Sequence, residues 1–352
     1  MDIRNILKLA AEKEASDLHI IFNQEPILRI DGELKSVNNV LGENSFPKIS
    51  QDDLKFFTET LLTNDLKRIF FDKRDLDFSY QVENFRYRLN FSFDKNNIKI
   101  VARIISDKEQ TLEELGLPPI TKKLLESNQG LILVTGPTGC GKSTTLAAMI
   151  NYINNHQNAN IITLEDPIEY VFSSKKSLIS QRQLGSDMIS FANGLKHILR
   201  QDPNVIMLGE MRDLETISTA LTIAETGHLV LATLHTYSAA QTIDRIIDIF
   251  PPYQQRQVQS QLSLVLSAVI SQRLLLRKKG GRVAAREILI NNSAVSNMIR
   301  EGKVAQLKSA IETGSSVGMV TLDRSVTQLY QQGIISRDVA LKNLDDPRLI
   351  EE

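Results

Sequence analysis

The sequence predicts an α/β protein, a phosphate-loop core with a mainly parallel sheet preceded by a small α+β domain. Three observations predict it. Gly136-Pro137-Thr138-Gly139-Cys140-Gly141-Lys142-Ser143 fits G-x-x-x-x-G-K-[ST], between an apolar strand pattern and a helical one. Downstream, apolar strands alternate with helices, the pattern of a parallel sheet. Upstream lie short alternating strands with hairpin signals, closed off by a polar stretch.

Residues 2–15 carry Ile3, Ile6, Leu7, Leu9 and Ala10 on a helical period. Strands are expected at 17–21 and 27–30, followed by the hairpin-turn signal Asp31-Gly32. Ser50 with Asp53 opens a helix to about Leu62. Three antiparallel strands follow at 75–82, 85–93 and 98–105. These elements make one domain, residues 1–105. Residues 106–119, polar and ending in Gly116-Leu117-Pro118-Pro119, read as a linker. Residues 120–352 make the second domain. Its strands are expected at 131–135, 161–164, 205–208 and 228–233, and its helices at 143–154, 190–200, 213–226 and 238–249. Past 250 the pattern is mostly helical, with a hairpin pattern over 282–290.

Composition narrows the class. The chain has 352 residues, 42% apolar and 24% charged, with net charge -1. That balance gives no electrostatic reason to expect nucleic acid. The single cysteine, Cys140, rules out an intrachain disulfide framework and a cysteine-cluster zinc site, and fits a reduced, cytoplasmic setting. Met1-Asp2-Ile3-Arg4 leads into a charged amphipathic pattern, not an apolar signal segment. The longest nearly apolar stretch, Leu262 to Ile270, is half a membrane span, so membrane association is expected only through a partner.

The loop residues Gly136, Pro137, Thr138, Gly139, Cys140, Gly141, Lys142, Ser143 and Thr144 are the expected nucleotide cradle. Glycines let backbone N–H groups converge on phosphate oxygens at a helix N-terminus. Lys142 would reach the β- and γ-phosphates, and Ser143 would hold Mg²⁺. Glu165-Asp166-Pro167-Ile168-Glu169 follows a core strand, where carboxylates can orient or deprotonate water. A solvated acidic loop is the plainer alternative. Val205–Leu208 runs into Gly209-Glu210, a Walker-B arrangement whose acid holds Mg²⁺ directly or through water; the acid is Glu rather than the commoner Asp. His228 and His235 bracket one strand, so they emerge at opposite ends and only one can lie next to the phosphates. Arg86 and Arg88 share a strand face, with Arg103 nearby; arginines of this kind can act as fingers, though alone they fit a solvated β-face.

Taken together, the phosphate loop, Glu165–Glu169, Gly209–Asp213, Ala224–His228, Thr233–Thr236 and the opening Ala15–Ile20 resemble the secretion-type ATPases, the hexameric motors of type IV pili and type II secretion. The resemblance covers almost the whole chain. It is most similar to the retraction branch: no extra N-terminal domain, no four-cysteine zinc motif, and Ala294-Val295-Ser296-Asn297-Met298-Ile299-Arg300-Glu301 resembling A-I-R-N-L-I-R-E. It departs at Ser296, where the family has arginine. Gly318–Asp323 also fits the branch.

The resemblance implies a RecA-like core with a PAS-like N-terminal domain, and ATP with Mg²⁺. It implies Glu169 as catalytic base, Glu165 and Asp166 as metal and water positioners, and Glu210 as the Walker-B acid. It implies His228 and His235 as couplers of nucleotide state, and a nucleotide-reaching arginine among Arg86, Arg88 and Arg103. It further implies a homohexamer, cytoplasmic and peripheral to the inner membrane through a pilus platform protein. The competing readings are an assembly ATPase for pilus extension or type II secretion, a nucleotide-dependent regulator without turnover, and a DNA-packaging or conjugation ATPase.

Overall fold

The computed structural model describes residues 2–42, 45–105 and 110–350. The chain divides into two compact units, Met1–Lys108 with Pro167–Tyr170, and Glu109–Asp166 with Val171–Glu352.

The first unit contains α1 (Ile3–Glu12), β1 (Asp17–Ile20), β2 (Ile27–Ile30), β3 (Glu33–Ser36), α2 (Val37–Leu41), α3 (Gln51–Leu61), α4 (Asn64–Lys73), β4 (Asp75–Val82), β5 (Phe85–Asp94) and β6 (Asn97–Ile105). Asp2 caps α1, which buries Ile3, Ile6, Leu7 and Ala10 on one stripe. The expected Ser50–Asp53 capping box opens α3. The strands form one antiparallel sheet in the order β3-β2-β1-β6-β5-β4. Along β5, Tyr87, Leu89 and Phe91 are buried, while Arg86, Arg88 and Asn90 alternate to the other face. The Tyr87 hydroxyl donates to Leu7 O at 3.0 Å, pinning α1 to the buried face. Helices α2 and α4 were not expected. In α4 only Phe70 is fully buried while Ile69 and Phe71 stay exposed, so no clean stripe marks it.

The second unit contains α5 (Ile120–Leu125), β7 (Gly130–Thr135), α6 (Lys142–His156), β8 (Asn160–Glu165), β9 (Leu178–Gln183), α7 (Phe191–Ile198), β10 (Val205–Leu208), α8 (Leu214–Glu225), β11 (Leu229–Leu234), α9 (Ala239–Asp248), α10 (Pro252–Val265), β12 (Leu266–Leu276), β13 (Arg282–Ile290), α11 (Ser293–Arg300), α12 (Leu307–Thr313), α13 (Leu322–Gln331) and α14 (Arg337–Leu341). Its sheet runs β13-β12-β7-β11-β10-β8-β9. All neighbours are parallel except β13, which is antiparallel to β12. The four strands read from sequence form its centre, and every residue of β7, β10 and β11 is buried.

Two strands of this unit escaped the sequence reading. The edge strand β9 is polar and carries no apolar run. The stretch Leu262–Ile270 falls in the region whose pattern reads as mostly helical; instead α10 ends at Val265 and β12 starts at Leu266, bonded along β7. An unbroken apolar run has no periodicity to separate helix from strand, and pairing with β7 decides.

The expected linker also differs. Residues 106–109 lie outside the described residues. Beyond them the segment is built into the second unit: Leu112 and Leu117 are buried in a core with Leu125, Ile132 and Leu146. Thr111 N donates to Glu114 Oε2 at 2.8 Å, and Glu114 N donates to Thr111 Oγ1 at 3.1 Å.

Candidate functional site

β7 delivers the chain into the loop Gly136–Gly141, and α6 begins at Lys142. Gly136, Gly139 and Gly141 have φ of 142°, 77° and 89°. At Gly136 a Cβ would stand 2.3 Å from Gln272 O and 2.6 Å from Cys140 Sγ, so no other residue fits without displacement. Gly141 is the N-cap of α6 and has no side chain to cap it, so the helix N-terminus presents backbone N–H groups of the kind that bind anions. Lys142 is buried; its Nζ donates to Gly136 O at 2.9 Å and Pro137 O at 3.1 Å. Ser143 and Thr144 follow in the first turn, both half-buried. Burial pushes the Cys140 thiol pKa up, so this cysteine is a packing residue.

A second layer of polar groups braces this loop, and the sequence reading missed it. Gln272 is 2% exposed. Its Nε2 donates to Cys140 O at 2.8 Å, and its Oε1 accepts from Thr145 Oγ1 at 3.0 Å. The hydroxyls of Thr135 and Ser271 are bonded at 2.8 Å. The available signal was Ser271-Gln272-Arg273 interrupting an otherwise apolar run; buried polar residues there must be satisfied by something.

Beside the loop stand Glu210 and His235. Glu210 follows β10 and pairs with Arg212 Nε at 2.6 Å. The ring of His235, just past β11, bridges the site: Nδ1 is 3.5 Å from Lys142 Nζ and Nε2 is 3.6 Å from Glu210 Oε2. Burial, then the Lys142 charge, hold the His235 pKa below its ordinary value. The neutral ring with its proton on Nε2 satisfies both neighbours, accepting from Lys142 and donating toward Glu210. The Thr233 hydroxyl donates to Gly209 O, and Gly209 N donates to Leu164 O at 2.8 Å, which fixes the turn carrying Glu210.

Glu165 ends β8 and is buried, accepting from Thr163 Oγ1 at 2.6 Å and Gln181 Nε2 at 3.0 Å. Asp166 beside it is exposed. Glu169 is half-buried within Pro167–Tyr170, the segment grouped with the first unit. His228 is not brought to the loop. It precedes β11, with Nδ1 3.1 Å from Ile223 O and 3.2 Å from Thr226 Oγ1 at the C-terminal end of α8. Seven residue steps at about 3.3 Å each place it roughly 23 Å from His235. Of the two expected couplers, only His235 stands at the phosphate loop.

On the first unit, Arg103 lies directly across from Arg88, and Arg86 two residues before Arg88 shares its side. Arg103 Nε donates to Asp17 Oδ1 at 3.0 Å, and Arg88 Nε is 3.6 Å from Asp77 Oδ1. Nε and Nη1 of Arg86 are buried without a hydrogen-bond partner. Arg29, absent from the sequence reading, adds a second cation 3.8 Å from Asp17. Its alternation with Leu28 and Ile30 in β2 was the available signal.

Among the described residues no group of three or more His, Cys, Asp or Glu is placed to hold a metal ion. The Ser143 hydroxyl and Glu210 carboxylate are hard oxygen donors of the kind Mg²⁺ takes when phosphates and water complete its shell. No described helix is long and apolar enough to cross a membrane. On α11, the departing residue Ser296 donates its hydroxyl to Ser263 O at 2.7 Å, fastening α11 to α10.

The model of a family described as Type II/IV secretion system protein matches residues 1–312. The chain is 45% identical over 348 residues to the "Type IV pilus retractation ATPase PilT" of Pseudomonas aeruginosa, covering 99% of each chain. It is 48% identical over 317 residues to a "Twitching motility protein" of Neisseria gonorrhoeae, covering 90% of this chain and 83% of that one. A solved structure described as "Crystal Structure of the Pilus Retraction Motor PilT and Bound ADP" superimposes with a TM-score of 0.90 at 42% identity, over 100% of this chain and 99% of that chain.

Proposed function

This chain belongs to the Type II/IV secretion system protein family, and from that premise we propose that it is an ATP-driven motor for type IV pilus retraction. The observation that carries the reading is the Lys142–His235–Glu210 constellation at the N-terminus of α6. Lys142 rests on two loop carbonyls and is poised to exchange them for β- and γ-phosphate oxygens. Backbone N–H groups of the loop bind the rest of the triphosphate. Ser143 and Glu210 would hold Mg²⁺, in part through water, and the ion supplies charge neutralisation on the phosphate oxygens when bound.

Glu169 is the general base. It takes a proton from water as the water oxygen bonds to the γ-phosphorus and the bond to the ADP oxygen breaks. Asp166 and Glu165 position the water and the metal shell. His235, touching both Lys142 and Glu210, changes its partners when the γ-phosphate leaves. One arginine among Arg86, Arg88 and Arg103 supplies positive charge to the transition state. Around a homohexameric ring on a membrane platform protein, such steps dismantle the pilus from its cytoplasmic side.

The test is phosphate release by the purified full chain. Lys142→Ala should neither bind nor hydrolyse ATP; Glu169→Ala should bind ATP without turnover. Wild-type hydrolysis in Glu169→Ala would remove that residue from the mechanism. In cells, loss of the protein should leave surplus surface pili without twitching. A bald cell would assign it to assembly instead.

A further inference from the structure

Arg286, in the middle of β13, is 5% exposed. Its Nη1 donates to Leu115 O at 2.6 Å, and its Nε has no hydrogen-bond partner. Among the described residues no carboxylate pairs with it. Burial lowers its pKa only to about 10, so it stays charged at neutral pH. A buried cation without a counter-charge is destabilising, and an apolar residue of similar size would be cheaper at this place. What the guanidinium does there is grip one backbone carbonyl.

The two ends of that contact matter. Leu115 sits in the connector 110–117, through which the chain enters the second unit. Backbone bonds from Leu115 N to Thr111 O, Gly116 N to Glu113 O and Leu117 N to Leu112 O wind it into a turn. Across the antiparallel ladder, the residue paired with Arg286 is Gln272. Directly opposed residues project to the same face of a sheet. Gln272 is the side chain that holds Cys140 O and the Thr145 hydroxyl. Neighbouring side chains on one face therefore hold the phosphate loop and the connector.

We propose that Arg286 is a positioning residue that, with Gln272, transmits the state of the phosphate loop to the connector 110–117. When the loop closes on phosphate, the Cys140 carbonyl shifts, Gln272 follows, and the packing of Arg286 against it changes the hold on Leu115 O. The inference rests on the reading of residues 136–143 as the nucleotide site.

The experiment is hydrogen exchange at amides 111–117 of the full chain, with no nucleotide, with ADP and with a non-hydrolysable ATP analogue, alongside direct measurement of nucleotide affinity. In the wild type, exchange at these amides should differ between the three states. Arg286→Met should abolish that difference without changing affinity, and Arg286→Lys should restore part of it. Gln272→Met, at saturating nucleotide, should abolish the difference while leaving nucleotide-free exchange at 111–117 as in the wild type; this second variant serves if Arg286→Met does not fold. Three results would overturn the proposal: no nucleotide-dependent difference in the wild type, a full difference surviving in Arg286→Met with or without a uniform rise in exchange, or a full difference surviving in Gln272→Met. Failure of the wild type to bind nucleotide at all would instead remove the site reading, and this inference with it.

Discussion

The phosphate loop and the arginine face of the first unit are held by different physics. The loop is over-determined: three glycines at positive φ, a Gly136 position with no room for a Cβ, and buried bonds from Gln272 and Ser271. The arginine face is held by partly exposed ion pairs, with the Arg103 side chain 60% exposed against Asp17 and Arg88 at 3.6 Å from Asp77. Exposed pairs of this kind contribute about 0–1 kcal/mol. A rigid cradle suits a site that must match one phosphate geometry. Weakly tethered arginines suit groups that exchange one anionic partner for another.

If that contrast holds, the loop should respond to substitution in binding and stability, and the arginine face in rate alone. Lys142→Ala should give the largest effect, hydrolysis at background and no nucleotide binding by calorimetry. Next, Arg86→Ala, Arg88→Ala or Arg103→Ala should cut turnover by about 10³–10⁵ for whichever serves as the finger, with nucleotide affinity kept; for Arg88 and Arg103 the unfolding free energy should change by less than ~1 kcal/mol. A large loss of stability there would break the comparison. Gly136→Ala should destabilise the second unit by about 3 kcal/mol in urea unfolding, since backbone strain adds to overpacking. Gln272→Ala should cost about 1–3 kcal/mol, because Cys140 O and the Thr145 hydroxyl lose their partner.

The smallest effect is expected at Glu287, on β13 across from Ser271. Its carboxylate accepts from Ala239 N at 2.7 Å at the start of α9, and burial raises its pKa above 4.5. The folded chain therefore holds this proton more tightly than the unfolded chain. The stabilisation is present below 4.5 and is lost as pH rises through the raised folded value. Glu287→Gln should flatten the dependence of melting temperature on pH in that window. An unchanged slope would show that the carboxylate is solvated.

Legibility in the sequence followed separation along the chain. The loop, its strand and its helix are adjacent in sequence, and Ser50 caps the helix that follows it through the amide of Asp53, three residues on. The strands at 75–105 announce themselves by alternation and turn residues. β12 did not, because an apolar run is compatible with helix or strand until a neighbour pairs with it. Gln272 finds Cys140 across 132 positions, and Arg286 finds Leu115 across 171. No local pattern marks such partners. His228 and His235 were equally plausible as letters; the direction of β11 separated them.

By itself, the chain of residues determined the phosphate cradle, the alternation that makes a parallel sheet, and the kinship of the whole. Glycine φ preferences, helix capping and strand periodicity act over a few residues and are written locally. Only the tertiary structure decided that β12 lines the loop, that one histidine of two reaches Lys142, and that a buried arginine grips the connector. Those outcomes depend on which surfaces exclude water together, and burial is a property of the assembled sheet, not of any short stretch of it.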